Sequence, residues 1–441
     1  MKRTRIKNIM MITTIAFFLL ASLLVGPTTI QAEIDVEAES AILINADTGD
    51  ILYSREADIA LPPASMTKVM TEYLVLEAIE QGEISWDTKT EISEYAYSIS
   101  ADPNFSGVGL RLDNEYTVKE LYDAMAIYSD NATSIALAEL VAGSEGEFVQ
   151  MMNEKAEEME LPEAQFVNST GLSNSHLGDN YPEGTDPDAD NLLSARSMAI
   201  LAYHLVNDFP DALEVSGTPT KEFEGHEMLN FNWMLPGMPG HIEDYAYEGL
   251  DGLKTGYTEL AGYTFTGTAE RNDTRLISVV MRTDSRETRF EETEKLLDYG
   301  FENFTSQVLF EEGFQIEGES TLPVAKGKES EVEIASGSAI EKVIRQGEED
   351  LYSVHYDIDE SLLNEDGALE APVEEGLEVG QLVLTYDGEI DYGNITENQE
   401  TITVPVYTTD EVEKSNWFML ILQAIGDFFV GLFSSIKGIF S

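Results

Sequence analysis

The sequence predicts an α/β domain followed by a small all-β domain, and three observations carry that prediction. With 441 residues the chain is long enough for two folded domains and appendages. The apolar pattern changes near residue 305. Before it, long helical runs mix with short strands; over about 310–408 apolar residues fall at every second position (Val332, Ile334; Leu382, Leu384; Ile402, Val404, Val406), broken by Gly and Asp turns. Finally, 43% hydrophobic and 9% aromatic residues supply real cores, so the heavy acid content reads as a solvated surface and not as disorder.

Taken in order, residues 1–32 read as a signal peptide for export. Lys2, Arg3, Arg5 and Lys7 precede an apolar run from Ile9 to Val25, then come Pro27 and a small residue at Ala32. A first domain over 33–304 opens with Ala41-Ile42-Leu43-Ile44 and Ile51-Leu52-Tyr53 around the turn Asp47-Thr48-Gly49-Asp50, which is a hairpin signal. Helices are expected at about 65–81, 117–128, 131–142 and 145–159, strands at 249–255, 261–269 and 275–282, and a helix at 286–302. Residues 173–191, rich in Gly, Pro, Asp and Asn, are expected to be a loop, and Trp86 and Trp233 to be core. An all-β domain follows over 305–410. The last segment, 411–441, contains an apolar stretch from Trp417 to Phe433 in which Asn416, Gln423, Asp427 and Ser434 share one narrow helical stripe. Burying Asp427 at a bilayer centre is costly, so the expectation is an amphipathic helix lying in the membrane interface, with a spanning helix or one packed on its own protein as alternatives.

Composition excludes several functions. Acids number 83 against 25 Lys+Arg, a net charge of −58 that removal of the basic leader makes more negative, so no nucleic-acid partner is expected. A charge this large fits a saline medium, where a short Debye length screens self-repulsion, or an ordinary acidic secreted protein. Without cysteine there are no disulfides, thiolate metal sites or cysteine nucleophiles. His176, His204, His226, His241 and His355 are scattered with no metal-binding spacing, so neither metal nor other cofactor is expected.

The chemistry is left to Ser, Lys and the carboxylates. In Pro62-Pro63-Ala64-Ser65-Met66-Thr67-Lys68 two prolines stop the preceding chain, which puts Ser65 near a helix N-terminus and Lys68 on the same face one turn later. An amine beside a hydroxyl is what a serine needs to become a nucleophile. Taken alone, Ser-x-x-Lys is as readily a helix cap followed by a surface lysine. Ser129-Asp130-Asn131 falls between two helical runs, and Lys254-Thr255-Gly256 ends a strand-like run.

These three motifs, in this order, resemble the signature of penicillin-binding proteins and class A β-lactamases. Pro63–Lys68, Phe166-Val167-Asn168-Ser169-Thr170-Gly171-Leu172 and Gly249–Gly256 are similar to segments of the low-molecular-mass D-alanyl-D-alanine carboxypeptidases, over about 37–304. The resemblance implies a β-lactamase/transpeptidase-like domain, an antiparallel sheet flanked by helices plus a helical subdomain, then the β domain and a C-terminal membrane helix. It implies peptidoglycan pentapeptides ending in D-Ala-D-Ala as substrate and β-lactams as inhibitors. It also implies roles: Ser65 as nucleophile, Lys68 as its base, Ser129 as proton relay, and Asn131 holding Lys68 and the substrate amide. Lys254 and Thr255 would bind the terminal carboxylate, with Gly256 permitting close backbone approach and the N–H groups of Ser65 and Tyr257 forming an oxyanion hole. Asp130 reads as structural, and Arg196 as a cleft-rim residue or, more simply, a surface helix cap. Two alternatives stay open: a serine β-lactamase, whose E-x-x-L-N pattern occurs here only as Glu360–Asn364 in the β domain, and a non-catalytic penicillin-binding scaffold.

Overall fold

The computed structural model describes residues 34–388, 393–395 and 402–416. The expected signal segment and the apolar helix after 416 lie outside them. The chain opens with β1 (Ser40–Asn45) and β2 (Ile51–Arg55), the expected hairpin. Its turn is closed by Asn45, whose Oδ1 accepts hydrogen bonds from the backbone N–H of Asp47 at 2.9 Å and Thr48 at 2.8 Å. A single 3-10 turn, Ala64–Thr67, then feeds α1 (Lys68–Glu80), which is buried almost all round and so forms the axis of a helical layer. Two three-residue strands, β3 (Lys89–Glu91) and β4 (Glu115–Thr117), bracket α2 (Glu94–Ser100). The three expected helices follow as α3 (Val118–Tyr128), α4 (Asn131–Ala142) and α5 (Glu145–Glu158). Each starts on a side-chain cap: Thr117, Asp130 and Ser144 accept from the backbone N–H three residues on, which satisfies donors that a helix start leaves orphaned.

Residues 173–191 are a loop as expected, interrupted by two single 3-10 turns. Beyond it come elements the sequence reading did not anticipate: α6 (Ala195–Asp208), capped by Ser194, α7 (Ala212–Ser216), and the hairpin β5 (Thr220–Phe223) and β6 (His226–Leu229). The expected strands are β7 (Leu250–Thr258), β8 (Gly262–Arg271) and β9 (Thr274–Thr283), followed by α8 (Arg286–Asn303). The first hairpin and β7–β9 then close one antiparallel sheet in the order β2-β1-β9-β8-β7. The period of two sorts its faces. Ile42, Ile44, Ile277 and Val279 join the core under α1 and α6, while Leu43 and Leu276 close on Gly300 of α8 on the other face. Trp86 and Trp233 are only half-buried, each with a face against aromatic neighbours (Tyr122; Tyr245 and Phe290).

The second domain begins without a linker. Phe304, the residue after α8, already opens β10 (Phe304–Phe310), earlier than the expected start of alternation near 310. β11 (Thr321–Ala325), β12 (Glu331–Ser336), β13 (Ile340–Arg345), β14 (Tyr352–Ile358), β15 (Leu369–Glu370), β16 (Glu378–Tyr386) and β17 (Thr403–Thr408) follow. β10 pairs with β13, and the others form a six-stranded sheet, β14-β16-β17-β12-β11-β15. Val332, Ile334, Leu382, Leu384, Val404 and Val406 build its core, as the alternation predicts. Extended pairing continues past 410, through bridges of Val412 to Val373 and Lys414 to Gly327, so 411–416 belong to this domain and not to the following segment. The domain meets the first one at the β1–β2 turn, where Lys342 Nζ lies 2.7 Å from Asp50 Oδ1 and Asn394 donates to the Thr48 carbonyl at 2.8 Å, and at the end of α8, where Arg345 donates to the Tyr299 hydroxyl and Gln346 N–H to the Asn303 carbonyl. Among the described residues no helix is long and apolar enough to cross a membrane.

Candidate active site

Ser65 lies on the 3-10 turn and Lys68 opens α1, one turn apart as the spacing predicts. The turn begins at Ala64, held in the left-handed region at φ +50°, a conformation that costs an alanine about 1 kcal/mol and is kept here by the packing around it. Lys68 is fully buried. Its Nζ is 2.8 Å from Asn131 Oδ1, 2.7 Å from the Thr170 carbonyl oxygen and 3.2 Å from Ser65 Oγ. A neutral lysine amine has two hydrogens and one lone pair. Asn131 and Thr170 offer acceptors for both hydrogens, which leaves the lone pair for the Ser65 hydroxyl. Burial first, and then the nearby Lys254 charge, push the Lys68 amine well below its ordinary value, toward that neutral form.

Ser129, Asp130 and Asn131 occupy the junction of α3 and α4. Ser129 is the left-handed C-cap of α3 at φ +57°, and this reversal turns its Oγ to accept from Lys254 Nζ at 2.8 Å. Asp130 Oδ1 caps α4 by accepting from Thr133 N–H at 2.7 Å, and Oδ2 accepts from Val108 N–H at 2.5 Å, so its carboxylate is used in fixing the 106–108 loop.

Lys254, Thr255, Gly256 and Tyr257 lie on β7, the edge strand of the sheet. Lys254 and Thr255 are buried, whereas the Tyr257 ring is half-exposed and stacks on Tyr263 with centroids 4.4 Å apart. Burial lowers the Lys254 amine to about 7, opposed chiefly by the charge of Glu72. A Cβ on Gly256 would lie 2.4 Å from Thr264 Oγ1 and 2.5 Å from the Pro63 carbonyl oxygen. The close approach expected of Gly256 is therefore, within this chain, that of β7 to the turn bearing Ser65.

Sequence reasoning matched residues 166–172 to a family segment and gave them no work. The structure ties them into the site. Asn168 Oδ1 accepts from Thr170 N–H, Thr170 Oγ1 and Gly171 N–H at 2.8–3.1 Å, a tight side-chain-closed turn that aims the Thr170 carbonyl at Lys68. Glu145, buried at the start of α5, accepts from Ser169 N–H at 2.9 Å and Oγ at 2.6 Å and from the Tyr95 hydroxyl at 2.9 Å. Gly171 has φ +85°, and a Cβ there would lie 1.9 Å from the Ala64 carbonyl oxygen, so the loop is pressed against the residue before Ser65.

The cleft above Ser65 is lined by fourteen residues, among them Ser129, Asn131, Thr255, Phe105, Phe231 and Tyr257, with two arginines and no acid. In a chain with 83 acids that exclusion marks a site for an anion. Arg289, inside α8, belongs to no sequence motif and is a functional residue that sequence reasoning does not find. It is buried, donates to the Gly256 carbonyl at 3.1 Å, leaves Nε without a partner, and has no ion pair among the described residues. Burial, then Arg286, lower its guanidinium to about 9. Arg196 is not part of the cleft lining: its Nε is 2.5 Å from Asp58 Oδ1, which ties the start of α6 to the chain after β2. Glu360–Asn364 forms a turn in the β domain, where Asn364 Oδ1 accepts from the N–H of Asp366 and Ala368, so the E-x-x-L-N match plays no part in the cleft.

Residues 27–285 match the family described as D-alanyl-D-alanine carboxypeptidase, and 304–414 match the C-terminal domain of penicillin-binding protein 5. The D-alanyl-D-alanine carboxypeptidase DacF of Bacillus subtilis is 32% identical over 90% of this chain and 91% of its own. Among solved structures, a peptidoglycan synthesis regulatory factor from Streptococcus pneumoniae superposes with a TM-score of 0.67 at 35% identity, covering 86% of this chain and all of that one. Penicillin-Binding Protein D2 from Listeria monocytogenes, solved with cefotaxime bound, gives 0.52 at 31% identity over 62% of this chain and all of its own.

Proposed function

The chain belongs to the peptidase S11 family of D-alanyl-D-alanine carboxypeptidases, and from that premise we propose that Ser65 is the nucleophile that removes the terminal D-alanine of a stem peptide. The observation that carries this is the pair of acceptors, Asn131 Oδ1 and the Thr170 carbonyl, that occupy the hydrogens of a neutral Lys68 and leave its lone pair at Ser65 Oγ. Ser65 Oγ bonds to the carbonyl carbon of the penultimate D-Ala and its proton passes to Lys68. The oxyanion is held by the N–H groups of Ser65 and Tyr257. The carbon–nitrogen bond then breaks, and the proton reaches the departing D-Ala amine through Ser129. Water releases the acyl group in a second step. Lys254, Thr255 and Arg289 hold the terminal carboxylate, a reading supported by the acid-free lining. A β-lactam opens by the same attack, with its ring nitrogen as the tethered leaving group.

The test is release of free D-alanine from diacetyl-Lys-D-Ala-D-Ala by the purified full-length chain and its Ser65→Ala variant. Release that falls at least ~1,000-fold in the variant is expected, since a nucleophile acts as a unit with its base. Benzylpenicillin hydrolysis over many turnovers without D-alanine release would point to a β-lactamase, and absence of Ser65 acylation to a scaffold. Export through residues 1–32 and attachment to the outer face of a membrane through the stripe at 416–434 complete the proposal and rest on the sequence pattern alone. Ending the chain after 416 is expected to release active enzyme into solution; persistent membrane association would reject that attachment.

A further inference from the structure

The lining of the cleft holds a second arginine to which the reaction just given assigns no work. Arg286 is the first residue of α8, directly after its cap Ser285 and three residues before Arg289, so the two side chains leave one face of the helix and both line the cleft. Arg289 is buried and Arg286 is exposed. We propose that they form an inner and an outer anion site: Arg289 contacts the substrate's carboxylate, and Arg286, at the mouth, attracts the same carboxylate across solvent and so sets the affinity of the cleft for anionic substrates.

Elsewhere in the chain arginine is matched with an acid. Arg111, Arg196, Arg271, Arg275, Arg282 and Arg345 each have a carboxylate oxygen at 3.9 Å or less. Arg286 has neither an ion pair nor a hydrogen bond among the described residues, although the chain carries 83 acids. Asp284 and Glu287, the acids closest to it in sequence, are exposed and lie outside the lining. The guanidinium rests instead over the ring of Trp233, with Cζ 5.3 Å from its centroid. Such a contact uses the flat face of the cation and leaves its N–H edge free for a ligand. The ring is itself held in place. Asn232, buried beside it in sequence, donates through Nδ2 to the Gly252 carbonyl of β7 at 3.3 Å and accepts from Met234 N–H at 3.1 Å, which ties the support of Arg286 to the strand that carries Lys254.

A chain with a net charge of −58 repels a carboxylate over most of its surface, so an unpaired cation at the cleft mouth reverses the local field where the substrate enters. The two arginines also repel each other: after burial, the charge of Arg286 is the next cause that lowers Arg289, and an anion set against both relieves that repulsion. The carboxylate takes no part in bond breaking, so an outer charge acts on it equally in the bound substrate and in the transition state. Uniform attraction of this kind lowers KM and leaves kcat alone.

This inference rests on the carboxylate site proposed above, and the experiment separates the two. D-Alanine release from diacetyl-Lys-D-Ala-D-Ala and acylation by benzylpenicillin, both carboxylates, are measured for the full chain and for Arg286→Gln and Arg286→Lys between ~0.1 M and ~1 M sodium chloride, normalised to the sites that benzylpenicillin acylates at saturation. In Arg286→Gln, KM is expected to rise about three- to fivefold at ~0.1 M with kcat unchanged, and its ratio to wild type to approach one at ~1 M, where the Debye length is ~3 Å. Arg286→Lys is expected to restore wild-type KM, because attraction across solvent needs a charge and not a fork of donors. A loss that stays the same at ~1 M and is not rescued by lysine means direct contact and overturns the outer site. An unchanged KM at every salt concentration, or a lower kcat with KM unmoved, overturns it as well and leaves Arg286 to the packing of α8 on Trp233. A wild type that releases no D-alanine defeats the earlier assignment, and the salt dependence of benzylpenicillin acylation then still decides the role of Arg286.

Discussion

The cleft and the β domain draw on one acid-rich composition in opposite ways. Around Ser65 the lining has no carboxylate, and the buried acids behind it, Asp130 and Glu145, each hold a set of specific donors. After residue 304 the acids Glu331, Glu333, Glu341, Asp357 and Glu378 stand on the exposed side of their strands. Where they pair, as Glu370 does with Lys326, both partners are half in water. Exposed acids need only solvent and contribute little singly to stability, so a period of two suffices to build that domain. Buried polar groups must each be answered by a partner, so the cleft is specified by side chains far apart in sequence. The difference predicts that substitutions near the cleft act on chemistry, and those in the β domain act on stability alone.

Outside the reacting groups themselves, the largest effect on turnover is expected from Gly171→Ala. At φ +85° and with its Cβ placed 1.9 Å from the Ala64 carbonyl oxygen, alanine must move either the 168–171 loop or the turn bearing Ser65. A displacement near 1 Å costs on the order of 100-fold in rate. The benzylpenicillin acylation rate reads this directly, and a wild-type rate would show that the loop does not hold the nucleophile.

Glu145→Gln is a milder intrusion on the same network, since the amide oxygen still accepts from Ser169, and turnover is expected to fall by less than ~10-fold. Its informative signature is in pH. Burial raises the Glu145 carboxyl above its ordinary value of 4.5. The stability this group contributes is therefore fully present below 4.5 and is lost as pH rises through the higher folded value. Glutamine has no such loss. The difference in thermal midpoint, variant minus wild type, is expected to grow more positive from ~pH 4 to ~pH 7, and a flat difference would mean that Glu145 is not buried as an acid.

These residues also mark what could be read in advance. The hairpin, the helices at 118–158, the β7–β9 strands and the all-β domain follow from period and punctuation, which are local. Ser65, Lys68, Ser129, Asn131 and Lys254 were legible as motifs, and the structure brings them within hydrogen-bonding reach of one another in linked pairs. Thr170, Glu145 and Arg289 were not, because a backbone carbonyl, an acid at a helix start and an arginine inside a helix carry no signal until chain closure assigns their partners. Of α6 the sequence shows only the start, in the helix-cap reading at Arg196, because the polar loop before it carries the stronger punctuation.

Leu382→Ala tests the other side of the comparison and should change turnover least. Leu382 is fully buried in the β-domain core, and its truncation is expected to cost about 2–5 kcal/mol of that domain's stability. The residue belongs to a separate apolar cluster, and the contact between domains runs through Lys342 with Asp50 and Asn394 with Thr48 on the β1–β2 turn, at the opposite edge of the sheet from β7, and through Arg345 with Tyr299 and Gln346 with Asn303 at the C-terminal end of α8, the end away from Arg289. Loss of packing around Leu382 therefore has no direct route to Lys254 or Ser65. The expected outcome is an earlier unfolding transition in denaturant with kcat/KM within about twofold of wild type. A parallel fall in kcat/KM at temperatures where the variant remains folded would mean that the docked β1–β2 turn transmits strain through β1 and β9 to the cleft, and the two domains would then have to be treated as one mechanical unit.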